Sequence, residues 1–338
     1  MSEQNKKQLN EIPYSVLDLA PVTEIGAISD ALYRTRDLAQ HVETLGYNRF
    51  WLAEHHNMPF IASSATSVVI GHVAAGTSTL RVGSGGVMLP NHAPLVIAEQ
   101  FGTLESLFPG RIDLGLGRAP GTDQRTAFAL RRGQGSMGQD FPELLAELRS
   151  YFDPSLSAGS SPVRAVPGEG LDIPTWLLGS SLYSAQLAGE LGLPYSFASH
   201  FSPKNTISAL ETYRQHFKPS KTLDKPYAMV GVNVIVADTD EEANYLATTL
   251  QQQFLNLIRN HEAPMQPPVE NLNASEYELA ALHQQLATSI IGGPETVQRK
   301  MQEFLDATQA DEMMVISSIY DHEKRKKSYK LLSEITKG

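Results

Sequence analysis

Cysteine is absent from this chain of 338 residues. Its absence excludes disulfide bonds, thiolate catalysis, thiolate zinc sites and cysteine-held iron–sulfur clusters. A chain without cysteine is also typical of proteins that work in the cytoplasm, where disulfides are rare. We therefore expect a cytoplasmic location.

Long apolar runs are missing as well. No run reaches the roughly 18 residues that indicate a membrane-spanning helix, and residues 1–13, MSEQNKKQLNEIP, are polar. We therefore expect neither a membrane span nor a secretory signal. Hydrophobic residues still make up 41% of the chain, which is enough for a large buried core and excludes a disordered protein.

Positive charge is scarce. The chain has 27 Lys and Arg against 37 Asp and Glu, which gives a net charge of -10. Its one basic run, 324–327, is interpreted as the solvated face of a helix near the C-terminus. We therefore expect no nucleic-acid partner and no acidic membrane partner.

Short apolar runs rich in β-branched and aromatic residues recur eight times, and stretches with helical periodicity separate them. Such runs are typical of parallel strands that are buried on both faces. Eight alternating units without a break in composition favour a single (β/α)8 barrel domain over residues 1–338, rather than a doubly wound sheet. The predicted strands are 14–19, 48–53, 80–87, 111–116, 174–179, 195–199, 227–236 and 312–318.

Two connections in this predicted barrel are long. They cover residues 121–172, after the fourth strand, and 238–311, after the seventh. Connections of this length in a barrel are usually lids, insertions or interface elements. For 238–311, a lid over the site and an outer insertion that serves a dimer contact are both open.

In such a barrel the functional residues follow the carboxyl ends of the strands. Ser180 and Ser181 follow the fifth strand and open a helix whose first-turn N–H groups, together with these hydroxyls and that of Ser184, are suited to bind an anion. Arg118, at the end of the fourth strand, adds a positive fork that fits a phosphate. The alternative is that the serines only cap the helix and Arg118 pairs with a carboxylate.

Glycines and histidines follow the neighbouring strands. The glycines within 83–86 lie inside a strand, not in a strand-to-helix turn, so they are no dinucleotide fingerprint. They indicate either a packing bulge or a flat ligand close to the backbone. His55 and His56 point to opposite faces if the strand continues through them. A shared metal ion is thus disfavoured, although a metal-dependent hydrolase with His200 as a further ligand stays an alternative, and a base or hydrogen-bond donor is plausible.

Three segments together resemble the bacterial luciferase-like flavin monooxygenases, over about residues 13–334 of the chain. The resemblance implies a (β/α)8 barrel that uses reduced FMN, delivered by a separate flavin reductase, and molecular oxygen to oxidise a small organic substrate. It also implies a homodimer. The segments are FWLAEHHNMP, RVGSGGVMLPNHAPLVIAEQFGTLESLFPGRIDLGLGRAPGTD and WLLGSSLYSAQLAGELGLP.

The resemblance assigns residues to roles. It implies that His55 is the catalytic histidine and that the peptide between Gly85 and Gly86 is cis beneath the flavin ring. Gly117 stands where the luciferase α subunit has a reactive cysteine, so neither an aldehyde substrate nor light emission is implied. No metal ligand is expected. The implied cofactor-binding residues are Glu54, Gly85, Gly86, Arg118, Pro120, Leu178, Ser180, Ser181, Ser184, Ala198 and Ser199.

Two further functions stay open beside the monooxygenase. One is a deazaflavin-dependent dehydrogenase of the same superfamily, and the other is a flavin-binding protein without turnover. A requirement for oxygen separates the monooxygenase from both.

Overall fold

The protein is built around a closed barrel of parallel strands, seen in a computed structural model that describes residues 6–131, 138–156 and 163–337. Eight strands pair side by side in the order β1, β2, β3, β5, β6, β7, β8 and β10, and β10 pairs with both β8 and β1. The strands are β1 Tyr14–Asp18, β2 Arg49–Leu52, β3 Arg81–Ser84, β4 Val87–Met88, β5 Ile112–Gly117, β6 Thr175–Gly179, β7 Tyr195–Phe197, β8 Ala228–Val236, β9 Ile290–Gly292 and β10 Glu312–Ile316.

Helices surround this barrel, and all of them except α4 bury apolar residues. In the first helix Leu38 and Val42 are completely buried, and Gly46, at a φ of 77°, follows the helix end. Within the described ranges, no helix is long and apolar enough to cross a membrane. The helices are α1 Ile28–Thr44, α2 Thr66–Ala74, α3 Pro94–Leu107, α4 Gln124–Arg131, α5 Phe141–Phe152, α6 Leu182–Leu191, α7 Thr206–His216, α8 Asp240–Ile258, α9 Glu276–Gln285, α10 Pro294–Thr308 and α11 His322–Lys337.

The barrel interior is filled by side chains, not hollow. Trp51 and Trp176 meet edge to face with ring centroids 5.2 Å apart. Below them, Arg49 binds Asp113 at 2.7 Å and Glu312 at 3.0 Å. With its lower layers occupied in this way, the barrel has room for a ligand only towards the carboxyl ends of the strands.

The predicted eight-stranded barrel is confirmed, with corrections at three strand ends. The predicted strand 80–87 is interrupted, because β3 stops before the cis peptide bond of Gly85 and Gly86 and β4 begins after it. The predicted strand 195–199 ends at Phe197, where the chain turns and Ser199 N donates to Phe197 O. The predicted strand 312–318 ends at Ile316.

One strand was missed by the sequence analysis. β9 pairs in parallel with the last three residues of β8, which extend beyond the pairing of β8 with β10. A strand of three residues is too short to show a periodic pattern, so only its isoleucines, Ile290 and Ile291, marked it.

Both long connections contain helices. The first holds α4 and α5, and its residues 132–137 and 157–162 lie outside the described part of the chain. The second holds α8, α9, β9 and α10. It is fastened to the barrel mouth on two sides, since Met265 N donates to Val22 O at 2.9 Å and Thr288 Oγ1 to Ser199 O at 3.1 Å.

The basic run 324–327 is not a uniformly solvated face, so that interpretation was wrong for one residue. Arg325 is buried, and its guanidinium lies 2.9 Å from a carboxylate oxygen of Asp18, which is also buried. It also donates to Ser317 O at 2.7 Å. This ion pair joins the last helix to the end of β1, and a charge count along the sequence does not reveal it.

We expect Arg325→Met to lower the free energy of unfolding by about 3–5 kcal/mol, because it leaves the Asp18 carboxylate buried without its partner. Urea denaturation at pH 7 measures the change. Lys327→Met is the matched control, because Lys327 lies on the same helix and its partner Asp238 is exposed, so we expect a loss below about 1 kcal/mol. Equal losses in the two variants would contradict the assignment.

Candidate active site

The predicted site residues lie together at the carboxyl-terminal mouth of the barrel. Their strands are parallel neighbours, so the residues that follow them meet at one end. Backbone and side-chain bonds join adjacent positions: Ala198 N donates to Gly179 O at 2.9 Å, and Asn91 Nδ2 donates to Pro120 O at 2.9 Å.

His55 follows β2 and is held in one orientation. Its Nδ1 lies 3.2 Å from the carbonyl oxygen of Gly121. Burial lowers the pKa of His55, so the ring is neutral at pH 7. Because a carbonyl only accepts, the proton of the neutral ring is on Nδ1, and Nε2 is the free acceptor. Within the described residues no hydrogen bond involves that Nε2, which is the geometry of an available base.

His56 has a different partner from that of His55. Because β2 ends at Leu52, both histidines lie in the following loop, and the alternation of strand side chains does not apply to them. His56 Nε2 donates to the carboxylate of Glu54 at 2.8 Å, and His92 Nε2 donates to the same oxygen at 2.9 Å. Met88 N donates to the second oxygen at 3.0 Å. Burial raises the pKa of Glu54, but the bonds from the two histidines outweigh it and the pKa falls to about 2. Glu54 is therefore ionised, buried and fully hydrogen-bonded.

This cluster was missed by the sequence analysis. Glu54, His56 and His92 place one ligand atom each within 4.8 Å of one another, a spacing that would also suit a metal ion. In the structure the carboxylate oxygens instead accept hydrogen bonds from both imidazoles and a backbone amide. The contact between residues 38 positions apart leaves no periodic signal, and only the clustering of histidines near two strand ends marked it.

The two glycines after β3 are required by the barrel wall. A Cβ atom on Gly85 would lie 2.6 Å from Leu17 Cδ1, and one on Gly86 would lie 2.8 Å from the carbonyl oxygen of Gly115. The peptide bond between the two glycines is cis, the geometry that the resemblance implies. Packing alone thus favours glycine at both positions. Gly86 is buried, whereas Gly85 is partly exposed and presents bare backbone at the mouth.

Arg118 lies beside the N-terminus of α6 with an unengaged charge. Its guanidinium carbon lies 4.4 Å from the ring centroid of Tyr183, in the range of a cation–π contact. Among the described residues it forms no salt bridge, so the expected alternative of a carboxylate partner is not seen. The charge is available to an anion from solution.

The serines at the start of α6 differ from one another. Ser181 is the N-cap residue but its side chain makes no capping hydrogen bond, and Ser180 is half-buried beside it. The hydroxyl of Ser184 is buried and donates to Ser181 O at 3.1 Å. The first turn of α6 therefore keeps two hydroxyls and its N–H groups for a ligand, while Ser184 supports the turn from inside.

The loop after β7 supplies the remaining predicted residues. Ala198 is half-buried, like Leu178 and Pro120, whereas Ser199 is completely buried and accepts from Thr206 Oγ1 at 2.8 Å. Burial lowers the pKa of His200 to about 4, and the nearby His55 adds to this effect. A second neutral histidine thus lies at the mouth, and protonation of His55 would further disfavour a charge on it.

A closed (β/α)8 barrel that collects a free imidazole, bare backbone and an uncapped helix N-terminus at its carboxyl-terminal mouth has the architecture of a barrel enzyme. Residues 14–312 match the family model of the luciferase-like monooxygenases. The chain belongs to this family, which confirms the resemblance found in the sequence.

Similar proteins cover almost the whole chain. A luciferase-like monooxygenase of Escherichia coli (strain K12) is 52% identical over 327 residues, which are 96% of this chain and 97% of that protein. The crystal structure of apo-MsnO8 is 35% identical, with a TM-score of 0.86, and the match covers 96% of this chain and 98% of that one.

Two more distant structures share the fold at low identity. One is the oxygenating constituent of 3,6-diketocamphane monooxygenase from Pseudomonas putida in complex with FMN, at 16% identity, a TM-score of 0.70 and coverage of 96% and 97% of the two chains. The other is an F420-dependent secondary alcohol dehydrogenase, at 14% identity, a TM-score of 0.68 and coverage of 95% and 97%. Both flavin and deazaflavin proteins therefore share this barrel.

We expect Gly121→Ala to disturb His55, because the added Cβ would lie 2.8 Å from Glu54 O and 3.0 Å from Met88 Cγ. The carbonyl that fixes His55 Nδ1 should then shift. Imidazole ¹⁵N chemical shifts should show the tautomer preference of His55 reduced, and urea denaturation should show lower stability.

Gly110→Ala is the matched control. Gly110 also has a positive φ, 74° against 63° for Gly121, but nothing lies within 4 Å of its added Cβ. It should cost about 1–2 kcal/mol from backbone strain alone and leave the His55 signals in place. Identical stability losses and unchanged His55 signals in both variants would contradict the role given to Gly121.

Proposed function

We propose that the protein is an FMN-dependent monooxygenase that uses reduced flavin and molecular oxygen to oxidise a small organic substrate. The observation that carries the proposal is the unpaired guanidinium of Arg118 beside the uncapped first turn of α6, at the same mouth as His55. A phosphorylated, flat cofactor matches this combination of charge and bare backbone.

The residues present fit the phosphate of FMN. A guanidinium offers forked donors to phosphate oxygens, and a helix N-terminus adds backbone N–H groups and a favourable dipole. The Tyr183 ring holds the guanidinium in place. The half-buried Leu178, Ala198 and Pro120 would line the groove that leads to the bare backbone of Gly85.

FMN supplies the redox chemistry when it is bound. The chain supplies position and proton control. His55 presents a neutral Nε2 that accepts a proton or a hydrogen bond at the mouth, and Gly121 holds the opposite nitrogen. Glu54 is not available for proton transfer, because its oxygens are occupied and its pKa is about 2. Its role in the proposal is to hold the walls beside the flavin.

The rest of the proposal rests on the resemblance and the composition. We infer a separate flavin reductase as a transient partner, a homodimer of single-domain chains and a cytoplasmic location. The 238–311 connection is already fastened at two edges of the mouth, which favours a fixed cover over a freely swinging lid.

A second candidate is a deazaflavin-dependent dehydrogenase. The F420-dependent alcohol dehydrogenase has the same fold over 97% of its length. F420 also carries a phosphate on its ribityl chain, so the Arg118 site alone does not separate the two cofactors. The requirement for oxygen does separate them.

We expect Arg118→Ala to weaken FMN binding by about 10- to 100-fold, because it removes charge-assisted hydrogen bonds to the phosphate. Titration followed by flavin fluorescence measures the affinity. Riboflavin, which lacks the phosphate, is the matched control and should bind both proteins equally. An equal loss for FMN and riboflavin would contradict a phosphate site at Arg118.

We expect oxygen transfer when the protein is supplied with FMN, a flavin reductase, NADH and a panel of small organic compounds. Under ¹⁸O₂ a product should gain one ¹⁸O atom, while the second oxygen atom leaves as water and reduced FMN provides the two electrons. His55→Gln should slow this reaction by about 100-fold or more while FMN affinity stays the same. Oxidation that proceeds without oxygen in the presence of F420 would favour the dehydrogenase instead.

A further inference from the structure

A cleft opens beside the candidate site, between the loop after β2 and α4. Its volume is about 520 Å³, and it does not include the residues proposed to hold the flavin. The loop supplies polar side chains, and α4 supplies a cation, a threonine and two apolar side chains. The lining residues are His56, Asn57, Arg125, Thr126, Ala129 and Leu130.

Hydrogen bonds connect the cleft to the residues around His55. The segment that begins at Gly121, whose carbonyl accepts from His55, continues along the β2 loop: Thr122 Oγ1 donates to His56 O at 2.8 Å, and Asn57 Nδ2 donates to Asp123 Oδ2 at 3.2 Å. The cation of the cleft, Arg125, follows two residues later. The position of the cleft and the position of the imidazole are therefore set by one stretch of chain.

The far end of α4 is fastened too. Arg131 Nε donates to Asn91 Oδ1 at 3.1 Å, and Asn91 in turn donates to Pro120 O. A helix of eight residues with none buried has little packing of its own, so these polar ties fix it. It forms a wall of the cleft and is not part of the barrel core.

Arg125 brings an unengaged positive charge into this cleft. Its side chain is exposed, and within the described ranges its guanidinium has neither an ion pair nor a hydrogen bond. The acid in the same segment, Asp123, is turned away from it. The oxygens of Asp123 accept from Arg125 N, Thr126 N, Thr126 Oγ1 and Asn57 Nδ2.

The other polar side chains of the lining are also engaged, since Asn57 Nδ2 and Thr126 Oγ1 donate to Asp123. His56 donates to Glu54, so it does not compete for a ligand anion. Ala129 and Leu130 supply apolar contact along the same wall. A guanidinium near the start of α4, with two aliphatic side chains about one turn further along the same helix, matches a small molecule with an anionic end and an alkyl body.

We propose that this cleft binds the organic substrate and that the substrate carries a carboxylate on a short aliphatic body, with the carboxylate on Arg125. The identification of the ligand as the substrate rests on the proposed function, whereas anion binding in the cleft does not. Arg125 is a specificity-determining residue in this view, and the alkyl body lies along Ala129 and Leu130 of the same cleft.

Calorimetric titration with hexanoate and hexanamide, in the absence of flavin, tests the binding. The two probes share the alkyl chain and differ in charge. The unaltered protein should bind hexanoate about tenfold more tightly than hexanamide, as expected for a charge-assisted contact. Arg125→Gln should remove this preference, and circular dichroism should confirm that the variant is folded.

Two control variants locate the effect. Arg299→Gln makes the same change in net charge on α10, away from the cleft, and should keep the hexanoate preference. Arg118→Gln should keep it as well. If Arg118→Gln loses the preference and Arg125→Gln keeps it, the anion binds at the Arg118 site and the proposal is overturned. Equal binding of hexanoate and hexanamide by the unaltered protein would also overturn it.

The cleft proposal and the flavin proposal can fail independently of each other. Hexanoate binding that depends on Arg125 while FMN affinity ignores Arg118 would leave the cleft standing and reject the flavin proposal. If FMN binding depends on the phosphate and on Arg118, but hexanoate affinity is the same in Arg125→Gln, the flavin proposal stands and the cleft proposal is rejected.

Discussion

The buried carboxylate of Glu54 is the constraint on which the mouth of the barrel depends. An ionised group without water must be met by donors, or its burial is prohibitive. Its donors come from the loop after β2, from β4 and from the turn that follows β4. These three segments must therefore keep one mutual arrangement. Asn91, within the same turn, donates to Pro120 O and accepts from Arg131 Nε. The segment after β5 and the end of α4 are therefore also positioned, through this turn, by the charge of Glu54.

Much of the fold was predictable because its signals are local. Eight apolar runs separated by helical periodicity define eight strands, and Gly46 and Gly192 end helices in the left-handed conformation that glycine adopts readily. The order of strands around a parallel barrel then follows from the order along the chain. Strand ends were less predictable. The break in the strand 80–87 depends on what lies opposite Gly85 and Gly86, namely Leu17 and Gly115, and these are distant in sequence.

The same division applies to the candidate site. Position at a strand end singled out the pair His55 and His56, together with Arg118, Ser180 and Ser181, since this requires only the pattern of strands. The choice of His55 over His56 came from the family resemblance. The burial and the hydrogen-bond partners of the site residues could be learned only from the structure. Tertiary packing decides that Ser184 and Ser199 are buried. It also brings His92 to the carboxylate of Glu54 and the carbonyl oxygen of Gly121 to Nδ1 of His55. Charge counting failed for a similar reason, because a buried arginine in a basic run is indistinguishable by sequence from its solvated neighbours.

The segment from Gly121 to Arg131 contacts the proposed catalytic histidine and also forms part of the proposed substrate cleft. The carbonyl of Gly121 fixes the tautomer of His55, and Arg125 is the cation of the cleft. At the end of the segment, Arg131 donates to Asn91, which lies in the turn that also carries His92 to Glu54. A barrel core fixes strand ends but leaves connections free to vary. Variation in this connection can therefore change which molecule enters the cleft, provided that the carbonyl opposite His55 stays in place. The requirement for glycine at 121 follows from that condition, because both its positive φ and the closeness of Glu54 O exclude a side chain.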